Sequence, residues 1–295
     1  MFRDGTGVRL PTLSLVENGA QTSIETRHLR SGLLVWMARI GYAARGIVFL
    51  IIGGFALLAA GGLGPHPQGA RDALEIAFEK PFGGYFLWAL AAGLLCFAGW
   101  RFLQSMFDVD LHGSDLYGLM RRSVLASSGL FYLALAAATV RITMEERRVS
   151  EDQSAREWTA WVMAQPLGRT VIALIALGFC AVGIGLAVKA IRAPYRHHLD
   201  ATPGQRVMAV ALGSYGILTR GVIFVVFGVI LGIAAFDSDS REAVGLAGVL
   251  RAMQHQANGG ILLGIAALGL LAFGFFEIIE AATRHAAAVT SSRQE

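Results

Sequence analysis

Few residues in this chain are placed to do chemistry. Arg45 and Arg220 each stand just inside an apolar run and are followed by a glycine. Glu277 and Glu280 stand near the end of the last apolar run. Charge inside hydrocarbon is costly, so such residues snorkel to headgroups, pair with one another, or mark a substrate or ion path. The apolar run that follows Arg45 and Arg220 places them near the interface, which favours snorkelling to headgroups; a buried pair such as Arg45 with Glu277 is the alternative, beside a solvated helix end for Glu277. Ser127, Ser128, Tyr132 and Thr139 fall together on one run. They offer the mid-depth hydroxyls that a path for a small solute or ion would need.

Other chemistries fit poorly. The stretch Asp108-Val109-Asp110-Leu111-His112-Gly113 begins like a calcium loop, but Leu119 stands where a bidentate glutamate is required. It reads as a polar turn ending a helix. The histidines His28, His66, His112, His197, His198, His255 and His285 all lie in tails or loops, so none is set for axial haem ligation within the bilayer. His197-His198 beside Arg192 and Arg196 reads as an interfacial basic cluster facing anionic lipid. Cys96 and Cys180 are lone thiols inside apolar runs and read as packing residues. Neither His-Glu-x-x-His nor Gly-x-Ser-x-Gly occurs, and no nucleotide-binding loop is present. The expectation is therefore no enzyme, no metal and no cofactor.

The elements that must position these residues are set by the solvent. The chain is 55% hydrophobic and 16% charged, with a mean hydropathy of +0.55. Soluble domains carry roughly 25% charged residues. Apolar runs fall at about 40–61, 83–103, 123–143, 168–190, 211–236 and 259–280. Each is close to the ~20 residues a helix needs to cross the bilayer. They lack the alternation of barrel strands, which predicts an all-α bundle of six transmembrane helices. The net charge is +4, but the basic residues sit between apolar runs rather than on one polar face, so nucleic acid is not an expected partner. The N-terminal tail, loops two and four and the C-terminus hold fourteen Lys and Arg, against eight in loops one, three and five. This bias predicts that both termini are cytoplasmic.

The six runs repeat. Arg45-Gly46, Ser128-Gly129 and Arg220-Gly221 open the first helices of three units at spacings of 83 and 92 residues. Lys80-Pro81-Phe82-Gly83, Gln165-Pro166-Leu167-Gly168 and Gln256-Ala257-Asn258-Gly259 open the second helices, and Gly93, Gly178 and Gly269 follow ten residues later. A loop arginine precedes each second helix: Arg71, Arg156 and Arg241. An even number of spans per unit makes these parallel repeats, with a pseudo-threefold arrangement as their natural geometry. The domain reading is a flexible cytosolic tail over 1–32, repeats over 33–114, 115–200 and 201–287, and a C-terminal tail over 288–295. Gly228-x-x-x-Gly232, Gly260-x-x-x-Gly264 and Ala181-x-x-x-Gly185 have helix-packing spacing. Ala70–Glu79 and Glu157–Ala164 read as interfacial helices capping the outer face.

On these motifs the chain resembles the DUF1206 family, bacterial membrane proteins of unknown function built from three two-helix repeats. The likeness rests on Arg45-Gly46, Arg220-Gly221, Pro81-Phe82-Gly83, Pro166-Leu167-Gly168, Asp108-Val109-Asp110 with Gly113, and the loop Gly245–Leu250. It covers roughly 33–287. Ser128 departs from the arginine of the other units, and the third unit lacks the proline. The resemblance implies topology and no activity. The expected function is a non-enzymatic structural, lipid-contacting or accessory component, with the lipid bilayer and a membrane-protein partner or second copy as partners. The alternative is a small-solute or ion transporter or channel along the pseudo-threefold axis.

Overall fold

A computed structural model describes residues 12–64, 67–79, 82–107, 115–144, 151–192 and 203–283. Their elements are α1 (Thr12–Ala60), α2 (Ala70–Phe78), α3 (Gly83–Phe107), α4 (Leu116–Thr143), α5 (Glu151–Met163), α6 (Gly168–Arg192), α7 (Pro203–Asp237), α8 (Leu246–Gln254) and α9 (Gly259–Thr283), with one 3-10 turn at Ser240–Glu242. No strand occurs among the described residues. Six helices are long and apolar enough to cross a membrane: Val35–Ala60 within α1, α3, Gly118–Thr143 within α4, α6, Val207–Asp237 within α7, and α9. The protein is a multi-pass helical membrane protein. Six crossings put the start of α1 and the end of α9 on one side, the terminal face. The short helices α2, α5 and α8 lie on the distal face.

The stretch read as a flexible tail is helical from Thr12 onward. Once the apolar span has formed, each added residue gains a hydrogen bond at little further cost, and no proline after Pro11 stops it. The expected caps at 70–79 and 157–164 correspond to α2 and α5, with Leu74 of α2 fully buried and Trp158 and Trp161 of α5 exposed. Arg71 and Arg156 lie on those helices, whereas Arg241 sits exposed in the 3-10 turn and is not their equivalent.

The second membrane helix of each unit opens in the same way. Phe82, Leu167 and Asn258 all have φ near +65° (65°, 63° and 66°), immediately before Gly83, Gly168 and Gly259. Asparagine tolerates this left-handed region; for Phe and Leu it costs about 1–2 kcal/mol. A Cβ at Gly168 would lie 2.7 Å from the Val162 carbonyl carbon, so glycine is required there. Leu167→Asn is expected to raise unfolding stability by about 1 kcal/mol. Gly168→Ala is expected to lower it by about 2 kcal/mol or more. Thermal unfolding of the detergent-solubilised protein reads both, and a stabilised Gly168→Ala would refute this view of the turn.

Packing is most extensive between units, not within them. The second helix of each unit lies along the first helix of the next: α3 on α4, α6 on α7, and α9 back on α1. Small residues make these contacts, as close approach of backbones in lipid demands. A Cβ at Gly46 would lie 2.8 Å from the Gly274 carbonyl oxygen, and one at Gly221 would lie 2.7 Å from that of Gly183. The corresponding contact in the third seam is looser, Gly129 against the Ala98 carbonyl at 3.3 Å.

Within units, α1 packs on α3 and α7 on α9, but α4 does not pack along α6. The packing order α4–α3–α1–α9–α7–α6 is an open ring. Its cause is legible in the residues. A Cβ at Gly41 would lie 2.6 Å from the Phe97 Cα, and one at Gly216 would lie 2.5 Å from the Phe273 Cα. Val124 and Val182 occupy the matching places in the middle unit. A branched side chain at 124 forbids that approach. Likewise Gly93 meets Ala44 and Gly269 meets Thr219, while a Cβ at Gly178 would meet nothing within 4 Å. The helices α4 and α6 are also the two least buried of the six spans.

Candidate functional site

The ionisable residues converge inside the terminal half of the bundle. Arg45 lies ten residues into the Val35–Ala60 span, about 15 Å along the helix at 1.5 Å per residue. Its Nη1 donates to both carboxylate oxygens of Glu277, at 3.1 and 3.0 Å. Its Nε donates to the Tyr132 hydroxyl at 2.7 Å. Arg45 is 5% exposed and Glu277 3%, so this is a desolvated pair and not a snorkelling side chain. The three residues come from α1, α9 and α4, one helix from each unit. The contact of α1 with α9 that closes chain start on chain end is thus also a charge contact.

Aromatic rings surround the pair. The Arg45 guanidinium carbon lies 4.9 Å from the Phe273 ring centroid, 5.0 Å from Phe97, 5.4 Å from Tyr132 and 5.9 Å from Phe49. Arg220 shares two of these rings, Phe273 at 4.4 Å and Phe49 at 5.2 Å, and lies 5.4 Å from Phe224. Faces of aromatic rings attract cations, most strongly where water is excluded. Five of the six spans supply a ring. The sixth, α6, carries Val182 where α3 and α9 carry Phe97 and Phe273.

The Arg220 Nε is buried without a hydrogen-bond partner. Arg101, on α3, sits 4.8 Å from the Phe97 ring and donates to Gln104 at 3.1 Å. Lys189, on α6, is exposed and lies within electrostatic range of Glu280, Arg101, Glu277 and Arg45. In the repeat register Arg101, Leu186 and Glu277 are equivalent, as are Gln104, Lys189 and Glu280. The three units therefore contribute different charges to one layer.

Of the residues singled out from sequence, Arg45, Glu277 and Tyr132 come together, with Arg220 beside them and Glu280 half-buried one turn further along. The hydroxyl cluster does not assemble. Ser127 and Thr139 donate to carbonyls of their own helix, Val124 at 3.0 Å and Leu135 at 2.8 Å, Thr139 although fully buried, while Tyr132 bonds across to Arg45. The Asp108–Gly113 turn and His66, His112, His197, His198 and His285 lie outside the described residues. Asp115, just past that turn, caps α4 by accepting from the Gly118 amide at 3.0 Å.

Three residues went unremarked in the sequence. Arg39 donates from Nε to the Ala281 carbonyl at 2.8 Å, at the C-terminal end of α9. Arg122 donates from Nε to the Ser105 carbonyl at 2.6 Å and from Nη2 to the Met106 carbonyl at 3.0 Å, at the end of α3. Cations are favoured at helix C-termini, where carbonyls lack partners. Arg39 and Arg122 are 83 residues apart, the repeat spacing itself, which was the available signal. On the distal face buried Asp152 accepts from the Gly245 and Gly248 amides at 2.7 and 3.2 Å and pairs with Arg251. It caps α8 from another unit, since Gly245 has no side chain to do so.

The family model described as Domain of Unknown Function (DUF1206) matches residues 40–108, 124–193 and 215–284. The chain is also similar to the uncharacterized protein YxxB of Bacillus subtilis (strain 168), 29% identical over 250 residues, which span 84% of this chain and 90% of that protein. No solved structure matches. The three matched segments begin at nearly equivalent places in the three units and take in nearly all of the six spans, and on that ground the chain belongs to the DUF1206 family.

Proposed function

We propose that this protein is a non-enzymatic, lipid-contacting component of a bacterial plasma membrane, with both termini in the cytoplasm. One observation carries the reading: the buried charge is spent on holding the three repeats together. Both Glu277 oxygens accept from Arg45 Nη1, and the Tyr132 hydroxyl accepts from Arg45 Nε. A buried ion pair between elements can fix how they assemble. Rings from five spans surround the two guanidiniums, an aromatic and not a hydrated setting for the buried charge. The excess of Lys and Arg on the terminal face supports its cytoplasmic placement.

The test is purification of the full chain in mild detergent, followed by lipid analysis and by reconstitution into vesicles. Bound phospholipid and vesicles no more permeable to ions or small solutes than empty ones are the expected results. A lipid-free protein that carries solute across the vesicle wall would replace this reading with transport.

A further inference from the structure

The opening between α4 and α6 has a definite lining. Transferring the contacts of the closed units through the repeat register puts Val124, Ser127 and Phe131 on its α4 side. Ile175, Gly178 and Val182 stand on its α6 side. The counterparts of the α6 residues, such as Leu90, Gly93 and Phe97, are buried, whereas these are half-buried or exposed. The lining is mainly apolar and faces hydrocarbon. Two turns past Val182, beyond Leu186, the same face carries Lys189, three residues from the end of α6; its counterpart Gln104 is buried in the closed unit.

Charge accumulates at that end. Arg45 and Glu277 neutralise each other. Arg101, Lys189 and Arg220 remain; Arg101 lies within electrostatic range of both of the others, and the carboxylate of Glu280 lies within range of Lys189. A positive excess is thus held inside the membrane, next to an apolar slot, with the buried Arg220 Nε lacking a hydrogen-bond partner. A buried, unpartnered guanidinium donor beside the exposed ammonium of Lys189 calls for an anion, and the slot calls for a chain of methylenes. Both come together in one molecule.

We propose that the α4–α6 opening seats an anionic phospholipid of the terminal leaflet. Its acyl chain lies along Val124, Phe131, Gly178 and Val182, and its phosphate is held by Lys189 with Arg101 and Arg220 behind it. Basic pockets between membrane helices recognise anionic headgroups through such clusters. The inference deepens the lipid-contacting reading and rests on it.

The experiment is native mass spectrometry of the full chain released from nanodiscs containing equal phosphatidylglycerol and phosphatidylcholine with identical acyl chains. The wild type is expected to retain phosphatidylglycerol with about tenfold preference. Lys189→Gln and Arg220→Gln should each cut that preference severalfold without changing total lipid. Gly178→Leu, which fills the slot where no atom stands within 4 Å, should reduce retention of both lipids while leaving the melting temperature unchanged. Equal retention of the two lipids would overturn the proposal and leave the lipid-contacting reading standing. Retention of neither would overturn both. Glycerol phosphate binding as tightly as the lipid would also overturn it, because the slot would then contribute nothing. So would a dimer joined through α4 and α6 with no lipid present.

Discussion

Glu277→Gln is expected to destabilise the detergent-solubilised protein by about 3–5 kcal/mol, the cost of leaving a buried charge without its partner. The substitution keeps the shape and removes only the charge. Arg45 would then face Arg220 across the shared rings of Phe49 and Phe273, with no carboxylate between them. Tyr132→Phe deletes one hydrogen bond and is expected to cost about 1 kcal/mol. The double variant Arg45→Met with Glu277→Leu should recover much of the loss, because apolar residues of similar volume commonly replace a buried pair without penalty. Thermal unfolding measures all three. An unchanged midpoint for Glu277→Gln would mean that the pair does not hold α1 to α9.

Gly216→Val should be nearly as damaging, for a different reason. It places in the third unit the residue that the middle unit carries at Val124. A Cβ there would lie 2.5 Å from both the Phe273 nitrogen and Cα, backbone atoms that cannot rotate aside. Overpacking costs about 1–3 kcal/mol where neighbours can shift and more where they cannot. The reverse change, Val124→Gly, meets no such backbone in the open unit. It should cost no more than about 1 kcal/mol, the ordinary penalty of glycine in a helix. Equal losses from the two substitutions would show that units two and three pack alike.

Much of this arrangement was readable beforehand. The six spans and the three units follow from apolar length and repeat spacing, whereas the Arg45–Glu277 pair was only an alternative to an arginine snorkelling at the interface, because the depth of Arg45 depends on where its long helix sits in the bilayer. The role of Phe82, Leu167 and Asn258 was half visible: the motif was plain, but a left-handed residue is not expected at Phe or Leu. The hydroxyl cluster misled because a serine or threonine on a membrane helix can satisfy itself on its own carbonyls, as Ser127 and Thr139 do. The open seam was also written in the sequence, as valine at 124 against glycine at 41 and 216. Reading it required knowing which residue each glycine faces, and that is tertiary information. Arg39 and Arg122 escaped for a similar reason, since an arginine near a membrane surface looks like ordinary positive-inside charge until the carbonyls beneath it are seen.

The open ring is tested most directly by spin-label distances at repeat-equivalent exposed positions on the terminal face. With Cys96 and Cys180 replaced, labels would be placed at Trp36 and Met106, at Leu119 and Ile191, and at Ala211 and Ala282, one pair per unit. The first and third pairs are expected to give similar distances and the Leu119–Ile191 pair a clearly longer one. Three equal distances would contradict the open seam between α4 and α6, and with it the lipid seat built on it.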